Sequence, residues 1–379
     1  MEEWKEYKLE EVCSRLRSGK GIKSDCISNI GLFPVIGGNG MRGYTNKSNF
    51  KGECAVIGRQ GANCGNVRFF MGEAYMTEHA VVAVGNELAD SYFLARLLSL
   101  MHLGNLSAQS AQPGLSIQTL SKQIIRLPSI SYQREISTVL KSLDDKIELN
   151  RRINDNLEQQ AQALFKSWFV DFDPFKNGQF VDSELGKIPE GWKVGYLSEI
   201  ADIIMGQSPN GSTYNENGEG IIFYQGRAEF GTRFPSIRLF TTNPTRIAPA
   251  NSILISVRAP VGDINITHKE CCIGRGLASA VSRTNKSAFL LYTLFSLKSD
   301  LDKFNAEGTV FGSINRKALE TLQILIPTND LISKFEAIVA SMDQQILILH
   351  IESENLKILR DTLLPKLMSG ELKINDINN

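Results

Sequence analysis

The second half of this 379-residue chain repeats the first. Trp4-Lys-Glu-Tyr-Lys-Leu9-Glu-Glu-Val12 returns as Trp192-Lys-Val-Gly-Tyr-Leu197-Ser-Glu-Ile200, shifted by 188 residues. Further on the shift is 199: Leu127-Pro128 answers Ile326-Pro327, Asp144 answers Asp343, and Asn156-Leu157 answers Asn355-Leu356. The difference implies a net insertion of eleven residues inside the second copy. A period near 190 residues is too long for a solenoid unit, so each copy is a module with its own core. Two similar but unequal modules suit a target with two different halves.

Each copy ends in a helix. Ile136, Leu140, Leu143, Ile147, Asn150, Asn154, Leu157, Ala161, Leu164 and Trp168 follow each other in steps of four and three. That is a heptad seam. The same phase returns at Phe335, Val339, Met342, Ile346, Leu349, Ser353, Leu356, Arg360, Leu363 and Leu367. Two seams of equal length in one chain predict an intramolecular coiled coil. Asn150 and Asn154 either fix its register as buried polar residues or lie at a frayed edge. Ile136 to Trp168 corresponds to about 48 Å of helix. If the two helices pack antiparallel, the pair is expected to act as a ruler of that length between the two remaining segments.

The remaining segments mix short apolar runs with Gly and Asn punctuation. Strands are expected at Phe33–Ile36, Ala55–Ile57, Val67–Phe70 and Ala80–Val84, and again at Ile221–Tyr224, Ser252–Val257 and Ala278–Val281. Short helices are expected at Ser91–Met101 and Ala288–Leu297. The predicted class is α/β (mixed α+β). The predicted divisions are a recognition domain over 1–130, a spacer helix and linker over 131–185, a second recognition domain over 186–326, and a C-terminal spacer helix and tail over 327–379.

Net charge is zero, but the charge is segregated. Residues 1–130 carry 14 Lys+Arg against 11 Asp+Glu, and residues 186–326 carry 15 against 12. The helical segments carry 7 against 10 and 5 against 8. Between Arg15 and Arg68 nine basic residues face two acidic ones, and between Arg227 and Arg283 eight face three. A local basic surplus in a neutral chain points to a polyanion-binding surface.

Most other chemistry is excluded. The six cysteines form no C-x-x-C pair and no histidine stands at ligand spacing, so neither a zinc site nor a disulfide framework is expected. No run of 18 apolar residues exists, so no membrane partner is expected. The charged opening Met1-Glu-Glu-Trp-Lys-Glu has no apolar region behind it, and a cytoplasmic location is expected. His79, His102, His268 and His350 have no catalytic partner at motif spacing. Gly274-Arg-Gly276-Leu-Ala-Ser279 is one residue short of a dinucleotide loop and lacks the strand–loop–helix setting. Asp173-Pro174-Phe175 lacks the second proline of an amino-methyltransferase loop and reads as a turn from helix to linker.

DNA-reading chemistry remains. Arginine and lysine neutralise phosphate, arginine also grips guanine, and Asn or Gln pairs with adenine. In the first copy such side chains gather in Gly-rich loops: Arg42, Tyr44, Asn46 and Lys47, then Arg59, Gln60 and Asn63. In the second the candidates are Arg227, Arg233, Arg238, Arg258 and Arg275. Arg59 and Arg258 both follow an apolar strand and precede a glycine, 199 residues apart, and are expected to be counterparts. Trp168 and Phe169 close the first helix beside Asp171 and Asp173. Such aromatics are either core or anchors for a partner subunit; the interface role is the expectation.

Three further segments carry a family resemblance: Gln112-Pro-Gly-Leu-Ser116-Ile-Gln-Thr-Leu120 running on to Leu127-Pro128; Leu164-Phe-Lys-Ser-Trp168-Phe-Val-Asp-Phe-Asp-Pro174; and Gly186-Lys-Ile-Pro-Glu-Gly-Trp192. With them the chain resembles the specificity subunit of type I restriction-modification enzymes over essentially its full length, the last two segments being similar to the IC-type branch. The resemblance implies two target recognition domains, spacer helices packed as an antiparallel coiled coil, and a non-catalytic role in directing two modification (methyltransferase) subunits and two restriction (translocase-nuclease) subunits to a bipartite double-stranded DNA target. It implies no cofactor in this chain, with S-adenosylmethionine, ATP and Mg on the partner subunits. Recognition domains of this family diverge, so the DNA-facing residues rest on the loop chemistry alone. A stand-alone DNA methyltransferase or nuclease would need a cofactor loop that is missing. A coiled-coil scaffold without a nucleic-acid role would not need the charge segregation.

Overall fold

A computed structural model describes residues 3–61, 63–107, 114–305 and 312–377; Gln112 and Pro113 of the first motif lie outside them. The chain forms two compact units, Met1–Leu149 with Glu352–Asn379, and Asn150–Ile351. Each unit therefore contains one recognition segment together with a stretch of both long helices.

In the first unit, β1 (Lys5–Lys8) leads to β2 (Cys13–Ser18), β3 (Phe33–Gly37), β4 (Gly40–Thr45), β5 (Phe50–Gly58), β6 (Val67–Met76) and β7 (Ala80–Gly85). Then come α1 (Ser91–Leu100), α2 (Ile117–Ser121), β8 (Ile124–Leu127) and α3 (Ile130–Phe169). Strands β2 to β7 form one sheet in the order β2-β7-β5-β6-β3-β4, and β1 pairs with β8. Only β3 and β6 run parallel. Side chains alternate along β5, as a strand buried on both faces requires. Ala55 and Ile57 enter a core with Phe93 and Leu94 of α1, while Cys54 and Val56 enter a second core with Phe50 and Met76.

The second unit repeats this plan. A hairpin of β9 (Phe180–Ser183) and β10 (Gly186–Pro189) precedes β11 (Lys193–Tyr196), α4 (Leu197–Ile200) and β12 (Ala201–Met205). Next are β13 (Tyr214–Asn215), β14 (Ile221–Tyr224), β15 (Leu239–Thr241), β16 (Ile247–Ala248), β17 (Ile253–Ser256), β18 (Ile264–Ile266), β19 (Cys271–Ile273) and β20 (Leu277–Ser282). The chain continues through α5 (Ser287–Ser296), α6 (Lys298–Lys303), α7 (Arg316–Glu320), β21 (Gln323–Ile326), α8 (Asn329–Ser369) and α9 (Ile374–Ile377). Here the single sheet is split in two, β12-β20-β17-β18 and β13-β15-β14-β19-β16. The long β6 of the first unit corresponds to β18 and β19 together.

Main-chain pairing locates most of the insertion. Ile36 and Tyr224 hold equivalent places in the parallel pairs, 188 residues apart. Ile57 and Ile255 are likewise equivalent, 198 apart, so the step from 188 to 198 puts ten extra residues between β14 and β17. They build β15 and β16 where the first unit has only β4.

The twenty predicted seam positions are all buried or half-buried. In the first unit Arg360 donates to Asp144 at 2.8 Å and Lys146 pairs with Glu352 at 3.2 Å. In the second, Asn150 and Asn154 donate their side-chain amides to the carbonyls of Leu349 (3.5 Å) and Ile346 (3.2 Å). Numbering rises along α3 as it falls along α8, so the helices are antiparallel. The two asparagines thus sit inside the seam, where a polar group that must find a carbonyl penalises a slipped register.

Phe169 corrects the expectation of a docking anchor. It is 5% exposed, with its ring 5.1 Å from Phe335, 5.2 Å from Phe289 and 5.9 Å from Trp192. Trp168 is half-buried against Phe335 at 6.2 Å. At the end of α3, apolar rings from α3, α5, α8 and the turn before β11 close one core, which leaves Phe169 no face for a partner. The Asp173–Phe175 turn follows, and Phe175 packs on Trp192 at 5.6 Å. Replacing Phe169 by Ala is expected to cost the second unit about 3–5 kcal/mol. A chemical denaturation midpoint unchanged from the parent would refute this core role.

Candidate nucleic-acid interface

Four loops of the first unit meet where β2, β3, β5 and β6 end. Gly19 donates its N–H to Ala80 O (3.0 Å) and Lys20 to Met76 O (3.0 Å). Thr77 donates to Ile36 O (2.9 Å), and Arg59 to His79 O (3.0 Å). The approach is close enough to require glycine at two places. A Cβ on Gly19 would lie 2.0 Å from Met76 O, and one on Gly38 would lie 2.6 Å from His79 O. The side chains delivered there are Lys20, Asn39, Gln60 and Glu78, the first three exposed and Glu78 half-buried.

The second unit makes the same construction, bond for bond. Gly206 donates to Leu277 O (2.9 Å), Gln207 to Ile273 O (2.9 Å), Gly274 to Tyr224 O (2.8 Å) and Val257 to Gly276 O (2.9 Å). A Cβ on Gly206 would lie 2.2 Å from Gly274 O. The positions held by Lys20, Asn39, Gln60 and Glu78 are taken by Gln207, Arg227, Arg258 and Arg275, all four exposed.

This register changes one sequence expectation. Arg258 is the counterpart of Gln60, not of Arg59, whose place belongs to buried Val257. Leu115 donates to Arg59 O (2.9 Å) just as Ile314 donates to Val257 O (3.1 Å). Gln60 bridges Gly114 as Arg258 bridges Ser313. A shift of 198 holds through these strands, and one residue reverses the face to which a strand side chain points.

The other candidates divide. Arg42 lies beside the cluster, its Cδ 3.1 Å from where a Cβ on Gly37 would stand. Tyr44, Asn46 and Lys47 belong to the far end of the β3–β4 hairpin, where Tyr44 faces Pro34, and are not brought into the cluster. Asn63 holds the β5–β6 loop by accepting from the Asn66 amide at 3.1 Å. Arg227 reaches the cluster but is ion-paired with Asp263. Arg238 is exposed but pairs with Glu229 (2.9 Å) and Glu216 (3.3 Å), and so neutralises a buried carboxylate. Arg258 and Arg275 are exposed and have no ion pair among the described residues. Lys20, Asn39, Glu78 and Gln207 were missed. For three of them the signal was a neighbouring glycine, in Gly19-Lys20-Gly21, Gly38-Asn39-Gly40 and Gly206-Gln207, and Glu78 had none.

Comparison with known proteins agrees with this duplicated plan. The model of the type I restriction modification DNA specificity domain matches residues 1–159 and 189–356. A protein of Methanocaldococcus jannaschii that carries the name type I restriction enzyme MjaX specificity subunit is 32% identical over 295 residues, 75% of this chain and 69% of that protein. The HindI specificity subunit of Haemophilus influenzae is 27% identical over 335 residues, 69% of this chain and 71% of that protein. The crystal structure of a type I restriction-modification S subunit from M. genitalium shares the fold, with a TM-score of 0.65 at 19% identity, covering 97% of this chain and 96% of that one. The chain belongs to the type I restriction-modification specificity family.

In this family member Arg233 is structural, which corrects its placement on a DNA-facing surface. It is 9% exposed and pairs with Glu158 of α3 and with Asp343 of α8 (2.5 Å), beside the Tyr292 hydroxyl at 3.2 Å. Tyr292 also donates to Asp343 at 3.1 Å. Burial pushes the Asp343 carboxyl above its usual range, while the charge of Arg233 and the hydrogen bonds from Tyr292 and Arg233 pull it back. The first unit repeats the motif with other cations. Tyr92 donates to Asp144 at 2.5 Å, and Arg96 and Arg360 both pair with that carboxylate. Burial also pushes the Cys13, Cys54 and Cys271 thiols up to about 12, which suits packing rather than chemistry.

Arg233→Ala leaves two largely buried carboxylates without their cation. The expected loss is about 3 kcal/mol, the low end for a broken buried pair because both carboxylates keep some water. A folded-state carboxyl above its unfolded value holds its proton more tightly, so its stability contribution is lost as pH rises. The deficit of the variant should therefore narrow as pH falls from neutral toward the carboxylate range. Urea denaturation across that range checks this; a deficit constant with pH would exclude Asp343 as its source.

Proposed function

We propose that this chain is the DNA sequence-specificity subunit of a type I restriction-modification complex, with each unit reading one half of a bipartite asymmetric duplex target. The observation that carries this is the four-loop convergence, built twice by equivalent main-chain bonds and furnished with different side chains. One scaffold carrying two sets of base-edge donors and acceptors is what two unlike half-sites require. Phosphate contacts come from basic residues beside the cluster, Arg42 and Arg59 in the first unit and Arg246 in the second.

The antiparallel helices set the number of unread base pairs and dock two modification subunits, which in turn bring two restriction subunits. Exposed Ile348 and Ile358 on α8, 49% and 65% exposed, support docking on the outer helix faces. The chain performs no chemical step of its own and takes no cofactor. S-adenosylmethionine, ATP and Mg serve the partner subunits. The complex works in the cytoplasm, in keeping with a chain in which no described helix is long and apolar enough to cross a membrane.

Exchanging residues 1–128 for the matching segment of a relative with another specificity should change one half of the methylated sequence and leave the other intact. Sequencing methylated adenines in cells that carry the complete system reads this directly; a change in both halves together would refute the two-reader arrangement. Affinity of the assembled complex for its target should fall with salt at about 0.9 in log K per phosphate neutralised. Binding indifferent to salt would remove the electrostatic part of the proposal.

A further inference from the structure

The two loop clusters differ most sharply at one corner. In the first unit the turn Thr77–Ala80 is closed by Ala80 N–H donating to Thr77 O at 3.0 Å and is tied to β3 by Thr77 N–H donating to Ile36 O at 2.9 Å. In the second, Leu277 N–H donates to Gly274 O at 2.9 Å and Gly274 N–H to Tyr224 O at 2.8 Å. The turns are therefore equivalent, and the residue after their first position is Glu78 in one and Arg275 in the other. One backbone position thus presents a carboxylate to the first half-site and a guanidinium to the second.

A carboxylate is a costly group in a surface meant for phosphate. The first unit places it among Lys20, Arg42 and Arg59, where any basic or neutral residue would bind DNA more tightly. No cation neutralises it outright. The oxygen 3.3 Å from His79 Nε2 is the one free to reach a base edge, while the other is buried against the Gly19–Gly21 loop with no hydrogen-bond partner among the described residues. Its side chain lies along the Gly19-Lys20-Gly21 loop, 3.9 Å from where a Cβ on Gly21 would stand. Ionised, it can only accept hydrogen bonds. In the major groove the donors are the exocyclic amines of cytosine and adenine, while guanine and thymine offer O6, N7 and O4, which are acceptors. Arg275 is the reverse: it only donates, is exposed, and has no ion pair among the described residues. Its fork matches guanine O6 and N7.

We infer that Glu78 and Arg275 are specificity-determining residues at equivalent positions, Glu78 selecting a base with an exocyclic amine and excluding guanine and thymine in the first half-site, and Arg275 selecting guanine in the second. The inference rests on the two-reader function proposed above. The neighbours agree with it. Gln60 and Asn39 beside Glu78 carry amides that suit adenine, whereas Arg258 beside Arg275 is a second guanidinium.

The test uses the chain assembled with the modification subunits of its own system and a duplex library randomised over the target. Wild type, Glu78→Gln, Glu78→Arg, Arg275→Gln and Arg275→Glu are selected in parallel. Glu78→Arg should move one position of one half-site from cytosine or adenine to guanine. Glu78→Gln, which keeps the side-chain shape, should narrow the same position onto adenine. Arg275→Gln should move one position of the other half-site from guanine to adenine, and Arg275→Glu should move it to a base with an amine. Each good base contact should correspond to a preference of about tenfold or more. Glu78→Gln and Arg275→Gln keep the inference falsifiable if a charge reversal prevents folding. Both glutamine variants retaining wild-type base preference would overturn it, as would a uniform loss of affinity for every sequence, which marks phosphate contacts. Those results would leave the two-reader function standing, because the wild-type complex would still select a bipartite target. A wild-type complex that selects no bipartite target would overturn the function itself, and the inference with it.

Discussion

A half-buried carboxylate on each long helix holds a recognition segment to its helices. Asp144 of α3 and Asp343 of α8 each accept a hydrogen bond from a tyrosine, Tyr92 of α1 and Tyr292 of α5. A carboxylate in such a place is tolerable only with a cation, and each unit supplies one from a different source. In the first, Arg96 of α1 and Arg360 of α8 converge on Asp144. In the second, Arg233 from the inserted segment spans Asp343 and Glu158. A carboxylate stripped of its cations is an unpaired charge in a poorly hydrated site, so each set acts as a clamp. The orientation of each candidate loop cluster within its unit depends on this clamp, because the loops hang from the sheet that α1 or α5 packs against.

The different cations explain why the two copies could diverge. In the first unit the carboxylate is neutralised from α1 and from the facing helix, so nothing in the β3–β5 connection is needed, and that connection is short. In the second unit Arg360 has no equivalent on α3, where Ala161 stands 199 residues before it. The cation comes instead from the lengthened connection between β14 and β17. The ten-residue insertion is thus tied to packing as well as to surface shape. Arg238, in the same insertion, neutralises buried Glu229.

The helical half of this design was legible in the sequence. A 3.6-residue period needs only one local element to declare itself, and every seam residue from Ile136 to Trp168 proved sheltered. The apolar strand cores, such as Ala55–Ile57 and Ile253–Ser256, were legible for the same reason. The site was legible only in part. Glycine-rich loops marked the right regions, since close main-chain approach demands glycine. Which side chains share a loop depends on strand register, which a constant 199-residue shift misjudged by one position at Arg258. Long-range ion pairing was also invisible. Arg233 and Arg275 look alike as arginines beside loops, yet one neutralises the interior and the other faces solvent. Phe169 failed as an anchor because its neighbours, Phe289 and Phe335, are more than 100 residues away in sequence.

The division of labour between main chain and side chain has a consequence for how such a reader changes its target. The bonds that assemble the loop cluster, from Gly19 to Ala80 and from Gly206 to Leu277, are made by peptide groups. They ask of the side chain only that it be absent at glycine. The side chains at the four delivered positions make none of these bonds, and a lysine, an amide, a carboxylate or a guanidinium can stand on the same backbone. Hydrogen-bond donors and acceptors at base edges can therefore be exchanged at little expense to the fold. The clamp residues have no such freedom, because each is paired in a site with little water. Variation should concentrate at Lys20, Asn39, Gln60 and Glu78 and their counterparts, and be resisted at Tyr92, Asp144, Tyr292 and Asp343. A protein built this way keeps its assembly fixed while its sequence preference drifts one half-site at a time.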